Sequence, residues 1–300
     1  MSVGTDIFAR FLNSTGHFRG KVRLADLLGR LTCVWNGGRG TFPLVQGTSV
    51  KVDLKDRVQR LMWGGAYEPH VRKCLVTILR PGDTFVDIGA HIGFFSMIAS
   101  SLVGAKGKVY AFEANSNLFE TLQANASEYS WLVPSLRAVW SENGRVAFSD
   151  PLQPGESGWG KLASIRNEGN EVLVEAVSLD EWHASVGFPV IRAIKIDAEG
   201  SEPFILEGAR RLIACTRPIL IIELNDELLR EVGKSKEAVI ASLRDQGYLI
   251  CGLAREMNKK PGNAGNPLSP EVLCLPSEQV EEARKTMSNL HLEVVADPSS

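Results

Sequence analysis

From Pro81 onward, short apolar runs alternate with amphipathic segments, and this alternation limits the fold more than any other feature of the chain. TFVDI (84–88), KVYAFE (108–113), RAIKID (192–197) and PILIIEL (218–224) read as strands. They are short, rich in β-branched and aromatic residues, and mostly apolar on both faces, the pattern of strands buried in a parallel sheet. IGFFSMIASSLV, the stretch carrying Leu118, Leu122 and Ala126, EPFILEGARRLI and KEAVIASLRDQ read as helices between them. Gly104 and Gly247 close two of these helices. Asn115 or Ser116 caps another, Ser201 and Pro203 open a third, and Ser235 caps a fourth. YLICG and EVLCLP are the last strand candidates. Strand–helix alternation of this kind builds an α/β fold: a doubly wound, mostly parallel sheet with helices on both faces.

Two regions depart from the pattern. Before residue 80 lie two helical stretches (DIFARFL and RLADLLGRL), a Gly-rich turn (36–40), an alternating run at 48–54 and a further helical stretch, EPHVRKCLVTIL. Between 145 and 177, two strand-like runs, RVAFS and VLVEAV, flank a long polar loop that contains Trp159 between two glycines. A loop of that length inside a domain is usually functional or mobile.

Composition narrows the function. Lys+Arg 33 against Asp+Glu 35 leaves a net charge of −2, so the chain as a whole has no basic field for general nucleic-acid binding. No apolar run approaches the roughly 18 residues a membrane helix needs. The five cysteines are scattered and include no Cys-x-x-Cys pair, which reads as reduced thiols rather than a zinc site or disulfide framework. The N-terminus shows neither a secretory h-region nor a myristoylation pattern. The expectation is a cytoplasmic protein without nucleic-acid or membrane partners.

Ligands in doubly wound sheets bind beyond the carboxyl ends of the strands, and three motifs fall at such ends. In Val86-Asp87-Ile88-Gly89-Ala90-His91-Ile92-Gly93, a strand runs through an acid and a glycine turn into a helix. Gly89 allows close backbone approach to a ligand, and Gly93 allows tight helix packing. The spacing is Gly-x-x-x-Gly, not the Gly-x-Gly-x-x-Gly of pyrophosphate sites. An acid beside the loop suits a cationic amino-acid moiety better than a diphosphate. Glu113 follows Gly93 at the roughly 20-residue distance at which an acid accepts ribose hydroxyls in nucleotide-binding βαβ units. Lys195-Ile196-Asp197-Ala198-Glu199-Gly200 places two carboxylates two residues apart, on one side of an extended segment. The pair suits a general base, a divalent cation or a substrate hydroxyl; as plain structure, it suits a helix N-terminus.

Taken together, FVDIGAHIGFFSMIA, VYAFEAN, VEAVSLDEW and IKIDAEGSEPFILEGA resemble the FkbM family of class I S-adenosylmethionine-dependent methyltransferases, and YEP (67–69) and RPILIIEL fit as well. The resemblance covers about residues 60–280, with His91 and Ala114 standing where the family often has Asn and Pro. It implies a Rossmann-like sheet with an antiparallel last strand, an N-terminal extension (1–75), a methyltransferase domain (76–285) and a C-terminal tail (286–300). It implies S-adenosylmethionine as cofactor, S-adenosylhomocysteine as product, and a hydroxylated small-molecule acceptor, a sugar, glycan or polyketide-type natural product. Asp87, Gly89, Ala90, His91 and Gly93 would surround the methionine end, with Glu68 reaching it from the N-terminal segment. Glu113 would hold the ribose. Asn115, Ser141 and Glu142, after a strand ending in RAVW, would flank the adenine, and Trp140 would pack nearby. Asp197 and Glu199 would contact the acceptor as catalytic pair or metal ligands, and Trp159 would stack on it. His183 is a minor candidate base in a surface helix. A homodimer stays open. The competing readings are a nicotinamide-dependent oxidoreductase and a cofactor-binding protein without turnover.

Overall fold

The computed structural model describes residues 3–15, 18, 20–44, 48–149, 161–163, 171–253 and 271–290. Its elements, in chain order, begin with α1 (Val3–Ser14), α2 (Lys21–Asn36), β1 (Arg39–Pro43), β2 (Ser49–Asp53), α3 (Arg57–Trp63) and α4 (Pro69–Ile78). Next come β3 (Thr84–Ile88), α5 (Phe94–Val103), β4 (Lys108–Glu113), α6 (Ser116–Ala126), β5 (Leu132–Leu136), β6 (Ala138–Val139), β7 (Gly144–Ser149), β8 (Lys161–Ala163) and β9 (Glu171–Val177). The last are α7 (Leu179–Ser185), β10 (Ala193–Ile196), α8 (Glu202–Glu207), α9 (Arg210–Thr216), β11 (Ile219–Glu223), α10 (Asp226–Glu231), α11 (Lys236–Asp245), β12 (Tyr248–Gly252), β13 (Glu271–Pro276) and α12 (Val280–Leu290).

The seven-stranded sheet runs β5-β4-β3-β10-β11-β13-β12. β3, β4, β5, β10 and β11 pair in parallel, and β13 inserts antiparallel between β11 and β12. This is the doubly wound, mostly parallel sheet with an antiparallel last strand that the sequence leads one to expect. The central strands are mostly apolar because each face packs against its own core. Phe85, Val109, Ala111, Ala193, Ile219 and Ile221 belong to one core, shared with α4, α5 and the N-terminal extension. The intervening residues Val86, Phe112, Ile194, Leu220 and Ile222 belong to the other, shared with α7, α9 and α11. Successive side chains on a strand point to opposite faces, so one continuous apolar run feeds both layers.

The strand order reverses between β3 and β10. β3 leads outward to β4 on one side, while β10 leads to β11 on the other. The loops after β3 and β10 therefore diverge, and a crevice opens at their carboxyl ends.

The strands described between 138 and 177 stand outside this sheet. β5 ends at Leu136, and Ala138–Val139 pair instead with β9 in a second, four-stranded sheet ordered β6-β9-β7-β8. The expected single strand ending in RAVW is therefore two short ones in different sheets. The N-terminal extension packs on the domain through Phe42 and Tyr67, whose rings meet Phe94 edge-on at 5.0 and 6.0 Å. Asn125 of α6 ties β2 down further, its side chain accepting from the Lys51 amide and donating to the Lys51 and Ile92 carbonyls. At the other end, α12 continues to Leu290 and packs on α4, so residues 286–290 are helix rather than tail. Among the described residues, no helix is long and apolar enough to cross a membrane.

Candidate active site

A cavity of about 320 Å³ lies at the carboxyl ends of β3, β4, β10 and β11. Glu68, Gly89, Ala90, His91, Glu113, Asn115, Asp197 and Glu199, all expected from sequence, line it. Three of the five described non-glycine residues with positive φ stand in its wall: Glu68 (35°), His91 (55°) and Glu199 (47°). Strained backbone of this kind persists where the surrounding structure holds it, and it gathers at functional sites.

The loop after β3 is shaped by backbone contacts. The amides of Gly89 and Ala90 both donate to the Phe112 carbonyl, folding the loop over the end of β4. Gly89 has φ 72°, and a Cβ there would lie 1.8 Å from the Asp197 carbonyl oxygen. No side chain fits between the β3 and β10 loops, which is why glycine stands at this position. The turn brings the His91 amide to Glu113 Oε2 at 2.7 Å, and the Asn115 amide reaches Glu113 Oε1 at 2.8 Å. The Ala114 amide also bonds this carboxylate. Burial nonetheless raises the Glu113 carboxyl to about 7. Asn115 in turn caps α6, its side chain accepting from the amides of Asn117 and Leu118.

The opposite wall is built from side chains. Lys195, on β10, places Nζ 2.7 Å from Asp197 Oδ2 and 5.2 Å from the centre of the Phe95 ring. Burial opposes the lysine's charge, but Asp197, Asp87 and Glu68 outweigh it and raise its proton affinity. Asp197 is likewise pushed up by burial, yet Lys195 and a hydrogen bond from Glu223 bring it below the ordinary carboxylate value. Glu223, at the end of β11, takes the opposite shift. The adjacent Asp197 charge and burial raise it to about 10, so it carries the proton it donates to Asp197. Glu68 rises to about 7, through burial and then Asp197. Tyr67 hydrogen-bonds Glu68. Glu202 folds back beneath this wall, its Oε1 accepting from the amides of Ala198 and Gly200 and so fixing the loop that carries Glu199.

Four expected cofactor residues do not line the cavity. Asp87 lies in the body of β3 rather than beyond its end, accepting from Ser96 Oγ at 2.5 Å, with its other oxygen buried and unpartnered. Its place is under the site, facing Lys195. Gly93 opens α5 with φ 84°, and a Cβ there would lie 2.6 Å from Leu122; it is a packing glycine between α5 and α6. Ser141 and Glu142 lie beyond the point where the chain has crossed to the second sheet, and Arg137, Ala138 and Val139 line the cavity instead. Trp140 stacks on Phe204 at 4.4 Å, outside the cavity lining. His183 is buried in α7, its Nε2 2.8 Å from the Pro189 carbonyl oxygen, and does not reach the site. Trp159 lies outside the described residues.

Sequence reasoning assigned no role to Lys195, Glu223, Tyr67 or Asn225, all of which line the cavity. The position of Glu223 at the end of an apolar strand, like that of Glu113, was the available signal.

The carboxylates that converge are also not the expected metal pair. Oxygens of Glu68, Asp197 and Glu223 come within 4.8 Å of one another, and Glu199 is not one of the three. Lys195 Nζ, 2.7 Å from Asp197 Oδ2, already supplies one positive charge to this set.

Residues 87–250, more than half the chain, match the model of the FkbM methyltransferase domain. The chain belongs to the FkbM methyltransferase family. That membership replaces the nicotinamide-dependent oxidoreductase reading. An FkbM methyltransferase from Methylobacillus flagellatus is similar in structure (19% identity, TM-score 0.41); the match covers 73% of this chain and 54% of that one. This chain thus spans about half the length of the Methylobacillus protein. A precorrin-6y C5,15-methyltransferase from Geobacter metallireducens aligns over 69% of this chain and 85% of its own, at 14% identity and TM-score 0.36. Fibrillarin from Aeropyrum pernix, solved with natively bound S-adenosyl-L-methionine, aligns over 68% and 72%, at 12% identity and TM-score 0.39. No curated protein matches the sequence.

Proposed function

We propose that this FkbM-family chain is an S-adenosylmethionine-dependent O-methyltransferase acting on a hydroxyl of a small molecule such as a sugar, glycan or polyketide-type natural product. One observation carries the reading. A single cavity has a backbone-held carboxylate, Glu113, on one wall and a cluster of carboxylates around one lysine on the other. The excess of buried acids over Lys195 creates a field suited to a cationic ligand, and S-adenosylmethionine carries a sulfonium and an ammonium. When bound, it supplies a methyl group already activated by the positive sulfur.

The rest is the work of this chain's side chains. Glu113, oriented by three amides, holds the ribose hydroxyls. Arg137, Ala138, Val139 and Asn115 border the adenine. Gly89 and Ala90 let the cofactor lie against the β3 loop. Beyond them, Asp197 fixes the acceptor hydroxyl, itself fixed between Lys195 and Glu223, and Glu199 borders the acceptor. Orientation of donor and acceptor is worth roughly 7–11 kcal/mol in such displacements.

The acceptor hydroxyl must also lose a proton. Asp197 is a weak base because its carboxylate is stabilised. Glu68, at about 7, is matched to neutral pH and takes that proton.

The test is incubation with methyl-labelled donor and a panel of hydroxylated sugars, glycans and macrolides. Label recovered as a methyl ether supports the reading. Label on nitrogen refutes O-transfer. Tight S-adenosylhomocysteine binding without any labelled product points to a cofactor-binding protein without turnover.

A further inference from the structure

We propose that the outward face of α2 docks the protein onto an anionic lipid surface. Leu27, Leu31, Val34 and Trp35 follow an i, i+4, i+7, i+8 spacing and so form one stripe along the helix. All four face solvent, with Val34 80% and Trp35 81% exposed. The opposite side of α2 buries small residues, Ala25, Gly29 and Thr32, and Gly29 is close against Arg60 of α3. The helix thus packs on the domain with its small residues and turns its large apolar ones outward. α1, in contact with α2, adds exposed Phe8 and Phe11. Large apolar side chains gathered on the solvent face of one helix mark an interaction site.

Charge selects the occupant. Arg23 and Arg30 are exposed on the same side of α2, and Arg39 follows it. Asp26, the only acid on α2, is shared between Arg30 at 3.0 Å and Arg60 at 2.7 Å, so its one negative charge offsets one of these two guanidiniums and leaves Arg23 unpaired by it. Residues 1–60 hold ten Lys and Arg against four Asp and no Glu, while the whole chain carries −2. Among the described residues of that segment, Arg10, Arg23, Arg30, Arg39, Lys51, Lys55 and Arg57 are exposed, against Asp53 as the exposed acid. A helix with Trp and Leu on its outer face and flanking arginines is built to lie in the headgroup boundary of an anionic bilayer. A second copy packed on this face about a two-fold axis would bring the same arginines together. Single-stranded nucleic acid would need stacking rings where Leu27, Leu31 and Val34 stand.

Co-sedimentation of the full chain with vesicles tests the proposal. Phosphatidylcholine vesicles are compared with vesicles in which about a third of the lipid is phosphatidylserine. The expected result is binding to the anionic vesicles alone, weakened by salt. Leu31→Ser with Trp35→Ser, and separately Arg23→Gln with Arg30→Gln, should each lower that binding about tenfold or more. Thermal unfolding checks that the variants are folded, and Trp35→Ser alone replaces the first pair if it is not. No binding to anionic vesicles overturns the proposal. So does a lipid-free dimer that the Leu31/Trp35 variant dissociates, or tighter binding to a single-stranded oligonucleotide than to vesicles.

Discussion

The two walls of the cavity hold their carboxylates by different means. Glu113 is gripped by the amides of His91, Ala114 and Asn115, whereas Asp197 is gripped by the side chains of Lys195 and Glu223. Backbone amides are present whatever residue other than proline stands in the loop, so the β3–β4 wall depends on chain path, on a few glycines and on a non-proline residue at 114. The β10–β11 wall depends on the identity of each side chain. The first arrangement suits a ligand common to a whole enzyme class, and the second suits one that differs from enzyme to enzyme.

Lys195→Met should break the contrast most severely. It leaves Asp197 and Asp87 buried without their cation, a loss of roughly 3–5 kcal/mol of folding stability in denaturant titration. A variant as stable as the parent would mean that this wall is not organised by the lysine.

Glu68→Gln should next lower turnover by roughly 10²–10⁴-fold, the value of a positioned base, with donor affinity retained. Turnover unchanged, or donor binding lost instead, would move Glu68 to the cofactor's side of the cavity.

A pH effect of intermediate size should follow from three acids, the half-buried Glu68 and the buried Glu113 and Glu202, each raised from 4.5 to about 7. They bind protons more tightly folded than unfolded, so their contribution to stability is complete below 4.5 and is lost as pH rises to about 7. Ligand-free Tm should therefore fall across that window while turnover rises with ionisation of Glu68. A Tm that climbs through the same window would contradict burial as the cause. The smallest effect should be that of a chelator, which is expected to leave turnover unchanged; loss of activity restored by a divalent cation would put a metal on Glu68, Asp197 and Glu223.

The same difference explains what could be read from the residues. The sheet was legible because the apolar runs 84–88, 108–113, 192–197 and 218–224 announce strands buried on both faces. The β3–β4 wall was legible because a close backbone approach leaves glycine at 89 and an acid at 113. Gly93 carries the same letter for another reason, helix packing against Leu122, and spacing alone does not separate the two. Ser141 and Glu142 fall outside the cavity lining because the chain changes sheets at Arg137, where the sequence reads as one strand. The acidic cluster was only half legible. Asp197 stands in a recognisable segment, but Glu68 and Glu223 reach it from an αL helix start and from the end of the neighbouring strand. Convergence of that kind is a property of the fold and leaves no local spacing to find. The exposed stripe of α2 has the same periodicity as a buried one, and only its surroundings show which way it faces.

Isothermal titration of S-adenosylhomocysteine into the parent chain and into Glu113→Ala tests the central claim most directly. The account predicts one bound molecule per chain and an affinity in the variant weaker by about 1.5–3 kcal/mol, the loss of charge-assisted hydrogen bonds. Equal affinity in the two, or no binding to the folded parent, would contradict it.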